Sequence, residues 1–214
     1  GKPMIQQVYE HASKSKYINE VIVATDDKRI YECVKKFGGN VIMTSCKHKS
    51  GTDRICEVIN KIKADIIVNI QGDEPFIDFK NIDIAIEPLI KDIRINVSTL
   101  AIKIKDTKNT SDPNKVKVVF DKNGYALYFS RSLIPFDRDK IKTDYYKHIG
   151  LYVYRVGFLK KYMYMKQTKL EKSEKLEQLR ILEYGEKIKV ILTEKDSFSI
   201  DTKEDYKKYK NYKV

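Results

Sequence analysis

Two hydrophobic rhythms alternate along the chain. Met4, Ile5, Val8, Tyr9 and Ala12 recur at helical spacing, and Pro3 suits a first helical turn. "EVIVAT", residues 20 to 25, predicts a short buried strand. Asp26 then offers an N-cap for a helix whose stripe includes Ile30, Cys33, Val34 and Phe37, stopped by Gly38 and Gly39. "NVIMT" predicts a second strand, and Thr52 caps a helix carrying Ile55, Val58, Ile59 and Ile62. "DIIVNI" predicts a third strand, followed by a helix from about Asn81 to Asp92.

Near-continuous apolar strands alternating with helices predict an α/β fold with a mainly parallel sheet covered on both faces. After Ile95 the texture becomes β-rich. "NVSTLAIKI" predicts one strand, and "KVKVVFDKNGYALYFS" two strands turning at Lys122-Asn123-Gly124. "HIGLYVYRV" adds another strand, and "SEKLEQLRILEYGEKI" predicts a single helix leading to the strand "KVILT". No repeat and no linker rich in Pro, Gly or Ser divides the sequence, so one α/β domain with a β-rich insertion or subdomain is expected.

Composition narrows the class of function. At 214 residues the chain is long enough for one full core. A net charge of +12 invites a nucleic-acid reading. The lysines, however, alternate with acidic residues, as in "KLEKSEKLEQLR", and only the tail "KKYKNYK" interleaves basic and aromatic residues. A solvated lysine-rich surface is therefore favoured over a nucleic-acid partner, and a positive field also suits phosphorylated small substrates. No run approaches the roughly eighteen apolar residues of a membrane span, and the first residues lack a signal-peptide layout. Cys33, Cys46 and Cys56 form no CxxC pair and leave one thiol over in any disulfide scheme, which favours reduced, structural cysteines in the cytoplasm.

Ligands of open parallel sheets bind beyond the carboxyl ends of the strands. Three polar segments fall there: "ATDD", "HKSGTDR" and "QGDEP". Thr52 at a helix start, behind Ser50 and Gly51, offers backbone N–H groups to an anion, and Arg54 can make a bidentate contact to phosphate or a base edge. Asp73 is placed to hold magnesium, which takes one or two carboxylates and fills its shell with water and substrate phosphate. An ordinary helix cap and a turn carboxylate are the plainer alternatives at these two sites.

The succession "VIVATDD", "HKSGTDR", "VNIQGDEP", "DPNKVKVVFD", "GYALYFSRSLIPFDRD", "KHIGLYVYR", "LEQLRILEYGEKI" and "IDTKEDY" closely resembles the 3-deoxy-manno-octulosonate (KDO) cytidylyltransferases. It extends from Gly1 to about Tyr206. The resemblance implies a Rossmann-like, nucleotide-diphospho-sugar transferase fold spanning residues 1–214, with 95–155 a β-rich region for sugar binding and dimerisation. It also implies a homodimeric enzyme that joins CTP to KDO, releasing pyrophosphate, on the way to lipopolysaccharide. Asp73 matches the family's magnesium-binding aspartate, with Asp201 of "IDTKED" as its partner. Ala24, Thr25, Ser50, Thr52, Arg54 and Gln71 match the cytidine-facing loops. Arg131, His148, Tyr152, Glu177 and Gln178 match positions of sugar recognition, and a sugar acid does need a cation for its carboxylate and several hydrogen-bonding groups for its hydroxyls. For His148 the plain alternative is a satisfied strand histidine. Glu74 is expected to be structural or to support Asp73.

Some features depart from the family pattern. Its members open with an apolar strand and a basic triphosphate-gripping loop, whereas "GKPMIQQV" resembles the later Gly-Lys-Pro-like element that opens the first helix. Roughly two dozen family residues therefore have no counterpart before Gly1, and Lys2 is given no catalytic role. An inactive remnant and a sialic-acid-type cytidylyltransferase are the alternatives; "LEQLR" and "HIGLYVYR" favour KDO over the latter. Lys203 and Lys169 replace customary prolines, which alters local stiffness more than chemistry, and Phe136 replaces a customary Trp while preserving an aromatic face.

Overall fold

The computed structural model describes residues 1–48, 50–105, 110–197 and 200. It resolves into two compact units. The first draws on Gly1–Ile62, Ile70–Asp83 and a last segment that begins at Ser197; the second on Lys63–Asn69 and Ile84–Asp196.

In the first unit, α1 (Met4–Ala12) precedes β1 (Ile22–Thr25), α2 (Lys28–Lys36), β2 (Asn40–Met43) and α3 (Gly51–Val58). β1 and β2 pair in parallel from Ile22↔Asn40 to Thr25↔Met43. Val8, Ala12, Val23, Val34 and Cys56 are buried, so each helix turns its apolar stripe inward. The N-cap of α2 is Asp27 rather than the expected Asp26: its carboxylate accepts the Arg29 N–H at 2.7 Å. Gly38, at φ +77°, ends that helix in the left-handed region that glycine enters without steric cost. The cap of α3 is likewise Ser50 rather than Thr52, with Ser50 Oγ accepting the Asp53 N–H at 3.1 Å. Thr52 lies within the first turn and is buried. Both residue types cap well, and the burial of Thr52 decides between them.

The second unit holds a six-stranded mixed sheet in the order β6-β5-β7-β4-β8, with β3 also paired to β7. Its strands are β3 (Ile66–Asn69), β4 (Val97–Lys103), β5 (Lys117–Phe120), β6 (Ala126–Ser130), β7 (Tyr146–Arg155) and β8 (Lys189–Leu192). The α/β class holds, but β3 finds its partner in β7, antiparallel, from Ile66↔Arg155 to Asn69↔Tyr152. The ten-residue β7 is long enough to be shared: β3 pairs with its last part and β5 meets it at Lys147, while β4 pairs along nearly all of it. β4 and β8 run parallel. The β5–β6 hairpin turns where expected, with Gly124 at φ +74° and the Asp121 carboxylate accepting the N–H groups of Asn123 and Tyr125.

Helix α4 (Phe79–Lys91) begins in the first unit and ends in the second. Its C-terminal turn is secured by Arg155, whose guanidinium donates to the main-chain oxygens of Leu89, Asp92 and Ile95. After α5 (Val156–Tyr162), the single helix expected over 173–188 is two short ones, α6 (Lys169–Glu174) and α7 (Gln178–Glu183). Lys175 breaks them apart in the left-handed conformation (φ +55°), and the Leu176 N–H returns to the Glu171 carbonyl.

Candidate functional site

Two clusters form, one in each unit. In the first, the carboxyl ends of β1 and β2 meet the start of α3. The Thr44 N–H donates to the Thr25 carbonyl at 2.9 Å. Arg54 ties these loops together, donating through Nη1 to Thr44 Oγ1 at 2.5 Å and pairing through Nη2 with the Asp26 carboxylate at 3.1 Å. The structure thus places Ala24, Thr25, Ser50, Thr52 and Arg54 at the carboxyl ends of β1 and β2 and the start of α3. Glu57 draws the preceding loop against α3 by accepting from the Ser45 N–H, His48 Nε2 and Lys61 Nζ.

Gln71 and Asp73 sit in a tight turn, where the Gln71 carbonyl accepts the Glu74 N–H. Two bonds join this turn to the segment that follows β8. Ser197 Oγ donates to the buried Glu74 carboxylate at 2.8 Å, and the Ile200 N–H donates to the Asp73 carbonyl at 2.9 Å. Glu74 is therefore a structural clasp beside Asp73. Asp201, the next residue after Ile200, lies outside the described residues. Among the described residues no group of three or more metal-ligating side chains forms. Magnesium asks for fewer than that from protein, since substrate and water complete its shell, and the oxygen donors of a carboxylate turn fit it.

In the second unit, β4 and β7 pair with a register shift between Thr99 and Leu100: Thr99 faces Tyr152, whereas Leu100 faces Ile149. This bulge re-aims the side chains around it. Residues four apart in a regular strand are separated by about 13 Å, yet the rings of His148 and Tyr152 lie 5.3 Å apart between centroids. Thr99 is at the centre. Its hydroxyl lies 2.8 Å from the Leu151 carbonyl and 2.9 Å from His148 Nε2. A threonine has one hydrogen to give, and a carbonyl can only accept. The hydrogen-bond network therefore assigns the proton of the imidazole to Nε2 and leaves the lone pair on Nδ1.

Burial holds this group neutral. It pushes the His148 imidazole down to about 3, with the Lys147 charge adding to the effect. It also raises the Tyr152 phenol well above its usual range, helped by the charges of neighbouring Tyr154 and of Glu177 at the start of α7. The Tyr152 hydroxyl lies close to Thr99 but is buried without a hydrogen bond of normal geometry. Gln178 is buried in the first turn of α7, and Glu177 is half-buried. His148 and Tyr152 are thus brought together, with Glu177 near enough for its charge to act on the Tyr152 phenol. Arg131, at the end of β6, is anchored to Glu174 at the end of α6. The sequence reading missed Thr99 and Glu174, because a strand threonine and a surface-patterned helix glutamate carry no local mark of their partners.

The His148 shift has a measurable consequence. Its folded-state value is depressed, so the unfolded chain takes the proton first. The stability it contributes is fully present above the ordinary value of 6.5 and is lost as pH falls toward 3. Between pH 7 and 5 the wild type should lose about 2 kcal/mol through this group. Thermal melts of His148→Gln should show a correspondingly flatter pH dependence; an unchanged slope would assign the acid sensitivity elsewhere.

Strand-end loops and a carboxylate turn on a mixed α/β scaffold suit a nucleotide-handling enzyme, and the comparisons with known proteins make the class a nucleotidyltransferase. The sequence model of the family described as cytidylyltransferase matches residues 1–188. The 3-deoxy-manno-octulosonate cytidylyltransferase of Thermodesulfovibrio yellowstonii is 54% identical over 219 residues, covering 96% of this chain and 86% of that protein. The enzyme of the same name from Geobacter metallireducens is 51% identical, covering 97% and 86%. The chain belongs to the 3-deoxy-manno-octulosonate cytidylyltransferase family. Among solved structures, a CMP:2-keto-3-deoxy-manno-octonic acid synthetase complexed with CTP is 40% identical, with a TM-score of 0.94 over 99% of this chain and 87% of that one. A 4-diphosphocytidyl-2C-methyl-D-erythritol synthase from Anaerococcus prevotii, 18% identical with a TM-score of 0.63, shares the fold.

Proposed function

We propose that the protein joins CTP to KDO, giving CMP-KDO and pyrophosphate, with magnesium held by Asp73 and Asp201. The observation that carries this reading is the clasp between the Asp73 turn and the segment leading to Asp201, made by Ile200 N–H to Asp73 at 2.9 Å and Ser197 to Glu74 at 2.8 Å. It supports two carboxylates, distant in sequence, serving one cation. When bound, magnesium supplies charge neutralisation on the triphosphate. The loops at Ala24, Thr25, Ser50, Thr52, Arg54 and Gln71 receive the nucleotide. Arg131 meets the sugar carboxylate, while neutral His148, Tyr152, Glu177 and Gln178 bond the hydroxyls. The anomeric hydroxyl then attacks the α-phosphorus in line. A new P–O bond forms to the sugar oxygen, the bond to the β-phosphate bridge breaks, pyrophosphate leaves, and the hydroxyl proton passes to solvent. Positioning of the two reactants accounts for much of the rate.

The enzyme acts as a homodimer in the cytoplasm. Leu127, Phe136 and Ile141, exposed within the β-rich region, support an apolar contact between copies. The free thiols Cys33, Cys46 and Cys56 suit a reducing compartment. Pyrophosphate release from CTP should require both KDO and magnesium. Release without KDO would replace the sugar with water as acceptor, and full release in excess chelator would remove the metal from the reaction.

A further inference from the structure

A polar cluster at the carboxyl end of β6 has no place yet in that chemistry. Lys117 of β5 is wholly buried, and its ammonium donates to the main-chain oxygens of Asp112 at 2.9 Å and Arg131 at 2.6 Å. A buried ammonium is costly unless its hydrogen bonds offset the lost hydration. A methionine would fill the same space without that cost, so what distinguishes the lysine is its grip on those two oxygens. Glu174 works from the other side. Its carboxylate accepts from Ser130 Oγ at 2.6 Å and from the Arg131 N–H at 2.9 Å, and its main-chain oxygen accepts from Arg131 Nε at 2.7 Å.

Arg131 is therefore held at its N–H, its carbonyl and its guanidinium, the last also through Nη1 to the Pro113 oxygen at 3.0 Å. Main-chain oxygens occupy Nε and one Nη1 hydrogen. No carboxylate bonds the guanidinium among the described residues. The two hydrogens of Nη2 and the second of Nη1 remain among the described residues, and one from each nitrogen makes the end-on edge that matches the two oxygens of a carboxylate. A guanidinium free to rotate would bind a carboxylate too, but only after losing rotamer entropy; one locked in advance does not incur that loss.

We propose that Lys117 and Glu174 are positioning residues that lock Arg131 with its end-on edge toward the substrate carboxylate, and so set the preference for an acidic over a neutral sugar. This inference rests on the sugar-acid reading above. Its test compares KDO with KDO methyl ester, which keeps every hydroxyl but carries no charge. In Glu174→Gln, an isosteric change, KM for KDO should rise about tenfold while KM for CTP stays put. The preference for acid over ester should fall by the same factor, or about 1.4 kcal/mol. Lys117→Met should act in the same direction, and a melting curve shows whether it is folded; if it is not, Glu174→Gln decides alone. A wild type that discriminates, beside a folded Glu174→Gln that discriminates equally, overturns the positioning role. Parallel loss toward acid and ester overturns it too, since that marks a general structural defect. A wild type indifferent to the carboxylate overturns the sugar-acid reading and this inference with it.

Discussion

Asp73→Asn should lower turnover by roughly a thousandfold while leaving the fold intact, because charge stabilisation at a metal-assisted centre is worth several kcal/mol and each 1.4 kcal/mol is about a factor of ten. The substitution keeps the shape of the side chain and removes only its charge. It also spares the clasp, since the Ile200 N–H bonds the main-chain oxygen of Asp73 and the Ser197 hydroxyl bonds Glu74. Loss of rate would then report on chemistry and not on unfolding. If both aspartates hold one ion as proposed, the companion change Asp201→Asn should cost a similar factor, and the double variant little more than either single one, because two ligands of one ion act as a unit. Pyrophosphate release under saturating CTP and KDO measures all three. Normal turnover in Asp73→Asn would remove that residue from the mechanism, and fully additive losses would separate the two aspartates into different roles.

The largest effect on stability is expected from the pair Glu171–Arg180. Both side chains are almost wholly buried and meet as a fork, Nε to Oε2 at 2.8 Å and Nη2 to Oε1 at 2.5 Å. The guanidinium also stacks over the Tyr162 ring, 4.7 Å from its centroid. Removing one partner leaves a charge stranded in a low-dielectric interior, which costs about 3–5 kcal/mol. Arg180→Met should therefore lower the melting temperature by roughly 10 °C, given about 2–4 °C per kcal/mol for a chain of this size. Glu171→Leu combined with Arg180→Met should regain most of the loss, since an apolar pair replaces the ionic one without stranding either charge. A double variant as unstable as the single would mean that packing, and not the ion pair, holds the site. The consequence reaches the proposed sugar site because this pair joins α6 to α7, the helices that carry or adjoin Glu174, Glu177 and Gln178.

Much of this was legible along the chain, wherever the cause is local. Asp121 and Gly124 announce their hairpin, since the turn needs a side-chain acceptor and a residue that tolerates positive φ. The apolar runs of β1, β2 and β7 announce strands, and "QGDEP" announces a polar turn at a strand end. Where two neighbours have equal local claims, the order of letters does not choose. Asp26 and Asp27 cap equally well, as do Ser50 and Thr52, and in each case position against the rest of the unit made the selection. The helical period runs unbroken through "SEKLEQLR", so nothing local predicts that Lys175 will turn left-handed. That break accompanies the ionic bond between Glu171 and Arg180, nine residues apart.

The amino-acid sequence by itself determined the α/β class, the order of elements as far as β7, the turn carrying Asp73 and the family resemblance, because periodicity, caps and turn chemistry act over a few residues; it did not mark the helix Val156–Tyr162. Only the tertiary structure decided that β3 would lie antiparallel to β7, that a bulge would bring His148 and Tyr152 around Thr99, and that Lys117 and Glu174 would close on Arg131. Those outcomes depend on partners for strand edges and buried polar groups, and these partners lie between fourteen and some ninety residues away in the chain.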